Sequence, residues 1–388
     1  MNRKLFWIFA LSASVYFTQG IEGLPSQGLF YYLKETLNFP AEKIMLISVI
    51  TSFAWIVKPP IGYAVDNYFC KKTWIFIALF FDVLSVVILG LNALPIALLI
   101  SLLLLNSTNT AFRDVAADGI MCVEGKLYQA TGKIQSVQWI AISISALLTG
   151  IGGGYIAQKW DYKAAFLCLI PVYILVGICA HFYSEEKNCY VKRASTLWQD
   201  TKILFSDKRL MIIGVFIFLY KYSPSFGTPL FFIQRDTFKW DKIWIGWLGT
   251  IGTVFSIIGS LLYFKFSRRI NIKKWLFFSV FLGALTTLSY LYYTPVTAVI
   301  YDIVYSLMGM FIFLMIMDFM ARNTLKGLEA TSFALLASFS NLALFTSGLS
   351  GAYLLPRVGL KWLIVLSSLT SFLCLPLINK IGEPPKTA

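Results

Sequence analysis

Residues 96–119 read IALLISLLLLNSTNTAFRDVAADG, an apolar run that leads directly into three formal charges. Arg113, Asp114 and Asp118 would each cost about 2.5–3.5 kcal/mol near the centre of a membrane-spanning helix. The Leu and Ile residues of the run Ile96–Leu105 return only about 0.3–0.6 kcal/mol each, so hydrophobicity alone does not balance this segment. We therefore expect the charges to face a protein interior or a water-filled cavity, where an ionisable group is a functional candidate.

The same apolar character extends along the whole chain. Of the 388 residues, 58% are hydrophobic and 13% are charged, and the mean hydropathy is +0.72. Apolar segments long enough to span a bilayer recur from end to end. We predict an all-α polytopic membrane protein with about 12 transmembrane helices. The predicted spans are roughly 5–33, 43–66, 73–93, 96–122, 130–157, 164–183, 210–233, 243–264, 274–292, 296–320, 330–355 and 361–379.

The net charge of +14 is explained by membrane topology rather than by nucleic acid binding. With both termini in the cytoplasm, more than twice as many Lys and Arg residues fall in cytoplasmic segments as in outer ones. This is the positive-inside pattern of membrane proteins. No transit-like leader precedes the first span, which favours a bacterial cytoplasmic (inner) membrane.

The chain divides near its middle into two six-helix halves. We predict an N-terminal bundle at 1–183, a polar cytoplasmic linker at 184–209 and a C-terminal bundle at 210–388. The halves are similar in sequence: Gly153-Gly154-Tyr155 corresponds to Gly351-Ala352-Tyr353. A parallel repeat of six plus six helices is the organisation of the major-facilitator fold, whose solute site lies between the halves near the middle of the membrane.

A second pattern supports that fold. Gly62 and Asp66 are followed by Lys71 and Lys72, in the spacing of the superfamily's G-x-x-x-D-x-x-x-x-[R/K]-[R/K] loop. We interpret these four residues as a gate: Gly62 allows close helix contact, and Asp66 accepts hydrogen bonds from a neighbouring helix end. The alternative is an ordinary charged loop on the inner side.

Further motifs resemble the folate–biopterin transporter family. They are Thr18–Pro25 (TQGIEGLP), Trp55–Gly62 (WIVKPPIG), Arg113–Gly119 (RDVAADG), Gln135–Trp139 (QSVQW) and Gly327–Leu336 (GLEATSFALL). They lie in both halves, so the resemblance covers most of the chain. It implies a secondary transporter for a folate- or pterin-like organic solute. The neighbouring muropeptide and acetyl-CoA permeases share a similar acidic fourth helix and are the alternative.

The fourth span carries the candidate for proton coupling. Asp114 and Asp118 are four residues apart and share a helical face, with Arg113 on the adjacent stripe. We expect the carboxylate that pairs with Arg113 to stay ionised and the other, near a like charge, to bind a proton. Asp118 is the favoured proton carrier and Asp114 the second candidate. Alternatively, the three charges form a closed network that fixes helix packing.

Arg113 and Asp114 are also candidate substrate contacts, as are other charges within the spans. Lys58, ahead of two prolines, is expected to neutralise Asp114 or Asp118 or to hold a substrate carboxylate, unless it reaches the inner surface. Lys221 lies near mid-membrane in the seventh span, and Glu22 lies on a broken first helix. Asp302 ranks above Asp82, because the first, fourth, seventh and tenth spans line the cavity in this superfamily.

On the fifth helix, Gln135 and Trp139 are candidates for substrate binding, Trp139 as a surface on which a pteridine ring could stack. No zinc-ligand spacing, nucleophile elbow or phosphate loop is present in the sequence, so we predict neither an enzyme nor a metal site.

The sequence therefore predicts a monomeric, proton-coupled symporter, driven by a proton gradient without a cofactor, that carries a folate- or pterin-like solute by alternating access. A lipid flippase or a membrane enzyme remains a further alternative.

Overall fold

The computed structural model describes residues 3–39, 47, 50–51, 53–55, 58–91, 94–185, 202–240 and 242–380. Within these ranges the chain is almost entirely helical and contains no β-strand. In chain order the helices are α1 (Arg3–Ile21), α2 (Ser26–Tyr31), α3 (Lys58–Asn67), α4 (Lys71–Leu91), α5 (Ile96–Leu127), α6 (Thr131–Lys159), α7 (Tyr162–Leu167), α8 (Ile170–Phe182), α9 (Lys208–Lys221), α10 (Gly227–Phe232), α11 (Lys242–Phe266), α12 (Ile272–Ser289), α13 (Pro295–Arg322), α14 (Glu329–Thr370) and α15 (Leu375–Ile378).

Among the described residues, eight segments are long and apolar enough to cross a membrane. The predicted fold class, an all-α polytopic membrane protein, is confirmed. The four remaining predicted spans contain α1, α3, α6 and α9, which are short, interrupted or rich in small and polar residues. Most of the second span (43–66) ahead of α3 lies outside the described residues.

The chain forms two compact units. Unit 1 comprises Met1–Leu197 with Thr324–Ala334, and unit 2 comprises Trp198–Asn323 with Leu335–Ala388. The start of α14 therefore belongs to unit 1. Residues 186–201 of the predicted linker 184–209 lie outside the described residues, and the division into halves at 1–183 and 210–388 stays a prediction.

Unit 1 is organised around α1 and α5. Helix α1 packs along α6, α8 and α5, and α5 also packs against α4 and α3. The part of α5 that carries the charges is enclosed by these neighbours, and the stretch from Asn109 to Cys122 is buried almost throughout. Packing of α5 on all sides is what allows charged side chains to be held away from lipid.

The first and seventh spans are both broken, and the breaks correspond. In the first, α1 is followed by α2, a π-helical turn at Tyr32–Thr36 and a positive φ at Asn38. In the seventh, α9 is followed by α10, a π-helical turn at Ile233–Thr237 and a positive φ at Lys239. Each of these features in the seventh span lies the same number of residues after its counterpart in the first: the short helices begin at 26 and 227, the π-helical turns at 32 and 233, and the positive φ values are at 38 and 239. The same local architecture thus occurs once in each unit.

A glycine packs against each break. A Cβ on Gly153 would lie 3.1 Å from the backbone oxygen of Leu24, and one on Gly351 would overlap the backbone oxygen of Ser225. A side chain larger than hydrogen is therefore excluded at Gly351 and would crowd the break at Gly153. This is the physical reason for the repeated Gly-x-Tyr sequence in the fifth and eleventh spans.

The eleventh and twelfth predicted spans are joined inside α14. At Gly359 the backbone has φ 74° and ψ 167°, which is not helical, and Pro356 lies just before it. Positive φ values are readily adopted only by glycine, so the turn predicted between 355 and 361 is encoded by this residue.

We expect Gly351→Ala to destabilise the protein by about 1–3 kcal/mol, because the added methyl overlaps the Ser225 carbonyl and the break must move. Thermal unfolding of the purified protein measures the change. Gly348→Ala is the matched control on the same helix, because nothing lies within 4 Å of a Cβ at that position. Equal melting temperatures for the two variants would contradict the packing role of Gly351.

Candidate functional site

Arg113 lies at the centre of a buried charge network in unit 1. Its side chain is 0% exposed and reaches two carboxylates, one from the break after α1 and one from α4. Its Nη2 donates to Glu22 Oε1, and its Nε lies 2.9 Å from Asp82 Oδ2. The guanidinium carbon also lies 5.1 Å from the centre of the Tyr173 ring. This network holds the broken first span against α4 and α5.

Neutral side chains complete the network around those charges. Thr110 Oγ1 donates to Glu22 Oε2 at 2.9 Å. Asn106 Nδ2 donates to Asp82 Oδ1 at 3.1 Å and to the Tyr173 hydroxyl at 3.3 Å. Both residues lie on the same stripe of α5 as Arg113, at the i, i+4 and i+7 positions. This network fixes helix packing, but its acidic members are Glu22 and Asp82, not Asp114 and Asp118, which the sequence-based alternative placed in one closed network with Arg113.

Asp114 has a separate set of partners, Lys58 and Gln19. Lys58 Nζ lies 2.5 Å from Asp114 Oδ2, and Gln19 Nε2 donates to Asp114 Oδ1 at 2.7 Å. Lys58 is the first residue of α3, with Pro59 and Pro60 in its first turn. Proline is tolerated there because the first helical N–H groups have no partner within the helix. Pro59 and Pro60 thus lie beside Lys58 in the first described turn of α3.

Asp118, one turn further along α5, has a different environment. It is 5% exposed and accepts hydrogen bonds from the Tyr16 hydroxyl at 2.8 Å and from Gln138 Nε2 at 3.5 Å. Within the described residues it forms no ion pair with Lys or Arg. Asp118 is thus a buried carboxyl group held by neutral donors.

The expected pairing of Arg113 with Asp114 or Asp118 was wrong. Consecutive residues on a helix point about 100° apart. Arg113 therefore faces α4 and the break, while Asp114 faces α3. Asp82, ranked below Asp302 from the sequence, is the α4 residue that pairs with Arg113. The i, i+4, i+7 stripe of Asn106, Thr110 and Arg113 was the available signal, because such a polar stripe implies a polar partner on the facing helix.

The two candidates on α6 lie apart from these carboxylates. Gln135 is fully buried, with its Nε2 3.6 Å from Met121 Sδ. The Trp139 ring packs edge-on against Tyr16, with centroids 6.3 Å apart. Gln138 of α6 reaches Asp118 directly, and Trp139 contacts the ring of Tyr16, whose hydroxyl donates to Asp118.

Three of the four predicted gate residues come together. Asp66 accepts hydrogen bonds from Thr331 N at 2.7 Å, Thr331 Oγ1 at 2.7 Å and Ala330 N at 3.2 Å. Lys71 Nζ lies 3.4 Å from Asp66. A carboxylate at a helix N-terminus satisfies free N–H groups and the helix dipole. Asp66 thus caps α14 from outside, as expected from the sequence.

Gly62 shares the contact of Asp66 with the start of α14, whereas Lys72 does not. A Cβ on Gly62 would lie 2.9 Å from the Ala330 oxygen, so glycine is needed for the close approach of α3 to the start of α14. Lys72 Nζ instead donates to the backbone oxygens of His181 at 2.9 Å and Tyr183 at 2.7 Å. Lys72 therefore fixes the end of α8 and does not join Asp66.

In unit 2 the two candidates, Lys221 and Asp302, have no contact with each other. Lys221 ends α9 at the break, and its Nζ lies 4.7 Å from the centre of the Phe313 ring. Asp302 on α13 faces Gly252 of α11, and its Oδ2 is buried without a hydrogen-bond partner among the described residues.

Sequence comparison places the chain in a family. The model of the BT1 family matches residues 19–385. The chain belongs to the BT1 family. It is 23% identical to the folate-biopterin transporter of Synechocystis sp., over 97% of this chain and 83% of that protein. It is 22% identical to folate transporter 1 of Plasmodium falciparum, over 86% of this chain and 69% of that protein. The predicted resemblance is confirmed.

Solved structures with the same fold are major facilitator superfamily transporters. FucP, in the outward conformation, superposes with a TM-score of 0.75 at 13% identity, over 97% of this chain and 98% of that one. The human organic anion transporter MFSD10 superposes with a TM-score of 0.72 at 14% identity, over 97% and 99%. At these identities the likeness establishes the fold alone. This BT1 family member is thus a multi-pass membrane transporter with the major-facilitator fold.

We expect Arg113→Leu to destabilise this protein by about 3–5 kcal/mol, because Glu22 and Asp82 would stay buried without their cation. Thermal unfolding and the yield of folded protein measure the loss. Adding Asp82→Asn to the Arg113→Leu variant is expected to restore part of the lost stability, because it removes one uncompensated charge. Arg357→Leu, at an exposed arginine, is the control and is expected to stay within about 0.5 kcal/mol of the parent. An Arg113→Leu protein as stable as this control would refute the buried network.

Proposed function

We propose that this BT1 family member is a proton-coupled symporter that moves a folate- or pterin-like organic solute by alternating access. The solute class is supported by its relatives, which carry the names folate-biopterin transporter and folate transporter. Family and fold support a membrane transporter of small molecules. The identity of the solute and of the coupling ion is our proposal.

The observation that carries proton coupling is the environment of Asp118. Near the end of the tenth span, 200 residues after Asp118, Asp318 binds Arg322 of its own helix, with Nη2 to Oδ2 at 2.6 Å and Nε to Oδ1 at 3.0 Å. At the equivalent place, four residues after Asp118, α5 has Cys122. Burial without a cation within ion-pair distance favours the neutral form of a carboxyl group, so Asp118 is suited to take up and release a proton.

Protonation of Asp118 would act on its neighbour Asp114. The two carboxyl groups lie one turn apart on α5, so a charge on Asp118 opposes a charge on Asp114. Neutralising Asp118 strengthens the pairing of Asp114 with Lys58. Proton binding at one site is thereby coupled to the position of the first residue of α3.

Helix α3 links this pair to the Asp66 contact. It spans Lys58–Asn67, so Lys58 lies at one end and Asp66 at the other, roughly 12 Å apart along the helix axis. A shift of α3 driven by the Lys58–Asp114 pair would displace Asp66 from Thr331 and Ala330. We propose that this is how proton binding controls the gate formed by Gly62, Asp66 and Lys71.

We further propose that the protein is a monomer in a bacterial inner membrane with both termini in the cytoplasm. The bias of Lys and Arg toward the predicted inner segments supports this orientation. The names of the relatives favour transport over catalysis.

Uptake of labelled folate and labelled biopterin into proteoliposomes tests the solute and the coupling together. An acidic exterior is expected to drive accumulation above the level reached at equal pH on both sides. Uptake no greater than that of protein-free liposomes for both compounds would contradict the solute class. Uptake that is indifferent to the gradient would contradict proton coupling.

Asp118→Asn is expected to abolish accumulation driven by the pH gradient while preserving exchange of labelled for unlabelled solute. The amide keeps the size and hydrogen-bond acceptor of the carboxyl group but does not bind a proton in this pH range. Asp161→Asn, at an exposed acid, is the matched control and should retain both activities. Gradient-driven accumulation that survives in Asp118→Asn would rule out Asp118 as the proton carrier.

A further inference from the structure

Unit 2 contains a cavity of about 580 Å³ beside the break in the seventh span. This volume falls within the range of small-molecule sites in proteins, about 300–1,000 Å³. Its walls come from the break after α9 and from α12, α13 and α14. Aromatic side chains are prominent among them: Tyr220, Phe226, Tyr290, Tyr305 and Phe313. All of these residues belong to unit 2.

Lys221 is the one charged side chain among the described residues that line this cavity. Among the described residues, no carboxylate lies within ion-pair distance of its ammonium group, and Nζ forms no hydrogen bond. The contact it does make is with the face of Phe313, 4.7 Å from the ring centre. A cation–π contact of this kind leaves the N–H donors of the ammonium group unsatisfied.

Polar groups next to Lys221 at the cavity form hydrogen bonds with other groups of the protein. The Tyr220 hydroxyl donates to Ser279 Oγ at 2.7 Å, and the Ser223 hydroxyl donates to the backbone oxygen of Ser367 at 3.3 Å. The backbone N–H of Ser223 is bound by Ser347 Oγ at 3.0 Å. These bonds fix the break and its walls without using the Lys221 ammonium group, which remains available to a ligand.

The position of Lys221 also argues against a lipid-surface role. It is the last of the 14 residues of α9, so it lies roughly 20 Å along the helix axis from Lys208. A lysine side chain at that depth does not easily extend to either membrane surface. The C-terminal end of the α9 dipole favours a cation there, but only modestly.

We propose that this cavity binds the carboxylate-bearing end of an aromatic solute, with Lys221 Nζ as its ion-pair partner and the aromatic walls as the surface for its ring. A carboxylate supplies the charge and the acceptors that the ammonium group lacks, and an aromatic ring matches Phe313 and Tyr305. The inference rests on the proposed function in its choice of solute, and it names the part of that solute which unit 2 recognises.

This assignment is tested by measuring how the Lys221→Gln variant binds two pterins that differ in charge. Folate carries carboxylates on its tail, whereas biopterin has a neutral side chain. We expect Lys221→Gln to raise the Kd for folate by about tenfold or more, as for loss of one partner of a buried charge pair, and to change the Kd for biopterin less than about twofold. Lys221→Arg is expected to retain folate binding. Lys265→Gln, at an exposed lysine of α11, is the matched control.

A stability measurement on the same proteins separates binding from folding. The ligand-free Lys221→Gln variant is expected to melt at a temperature equal to or above that of the parent, because it loses an uncompensated charge. Equal weakening of folate and biopterin binding, or unchanged folate binding, would overturn the assignment.

A third probe, para-aminobenzoate, separates this site from the proposed solute. If folate uptake fails but Lys221-dependent binding of para-aminobenzoate is found, the site stands and the solute class is wrong. If the parent protein binds neither folate nor para-aminobenzoate, the site itself is refuted.

Discussion

The structure depends on neutralising the charges that α5 carries inside the membrane region. Each such charge would be costly in lipid, and each is met by side chains from a different neighbour. Arg113 is held between Glu22 and Asp82, and Lys58 reaches Asp114 from the start of α3. The break in the first span, the position of α3 and the packing of α4 on α5 all follow from these pairings.

After these pairings are made, one carboxyl group of α5 has no cation among the described residues. Asp118 is held by Tyr16 and Gln138, whereas Asp318 in unit 2 is bound by Arg322. The two breaks differ in a similar way, although their backbones correspond. Glu22 near the first is bound by Arg113, while Lys221 at the second faces a cavity. The repeated scaffold therefore carries different charges in its two units, and this difference is what makes a division between coupling and solute recognition possible.

Much of the fold was predictable because hydrophobic length and charge bias are local properties of the sequence. The broken first span and the capping of a helix by Asp66 were also expected, the latter from a motif with fixed spacing. The pairing of Arg113 was not, because the sequence reports which residues share a helix face but not which helix that face meets. Asp82 was undervalued for the same reason: its importance depends on the packing of α4 against α5. Likewise, Gln135 and Gln138 both lie in the motif Gln135–Trp139, but Gln138 is the one that the helix rotation brings to Asp118.

In the proposed mechanism Asp118, rather than Asp114, exchanges the coupled proton. Infrared difference spectra of the purified protein between neutral and acidic pH test this assignment most directly, because a protonated carboxyl group has its own carbonyl stretching band. We expect a band that disappears in Asp118→Asn and persists in Asp161→Asn. A band that is unchanged in Asp118→Asn would contradict the assignment of Asp118 as the proton carrier.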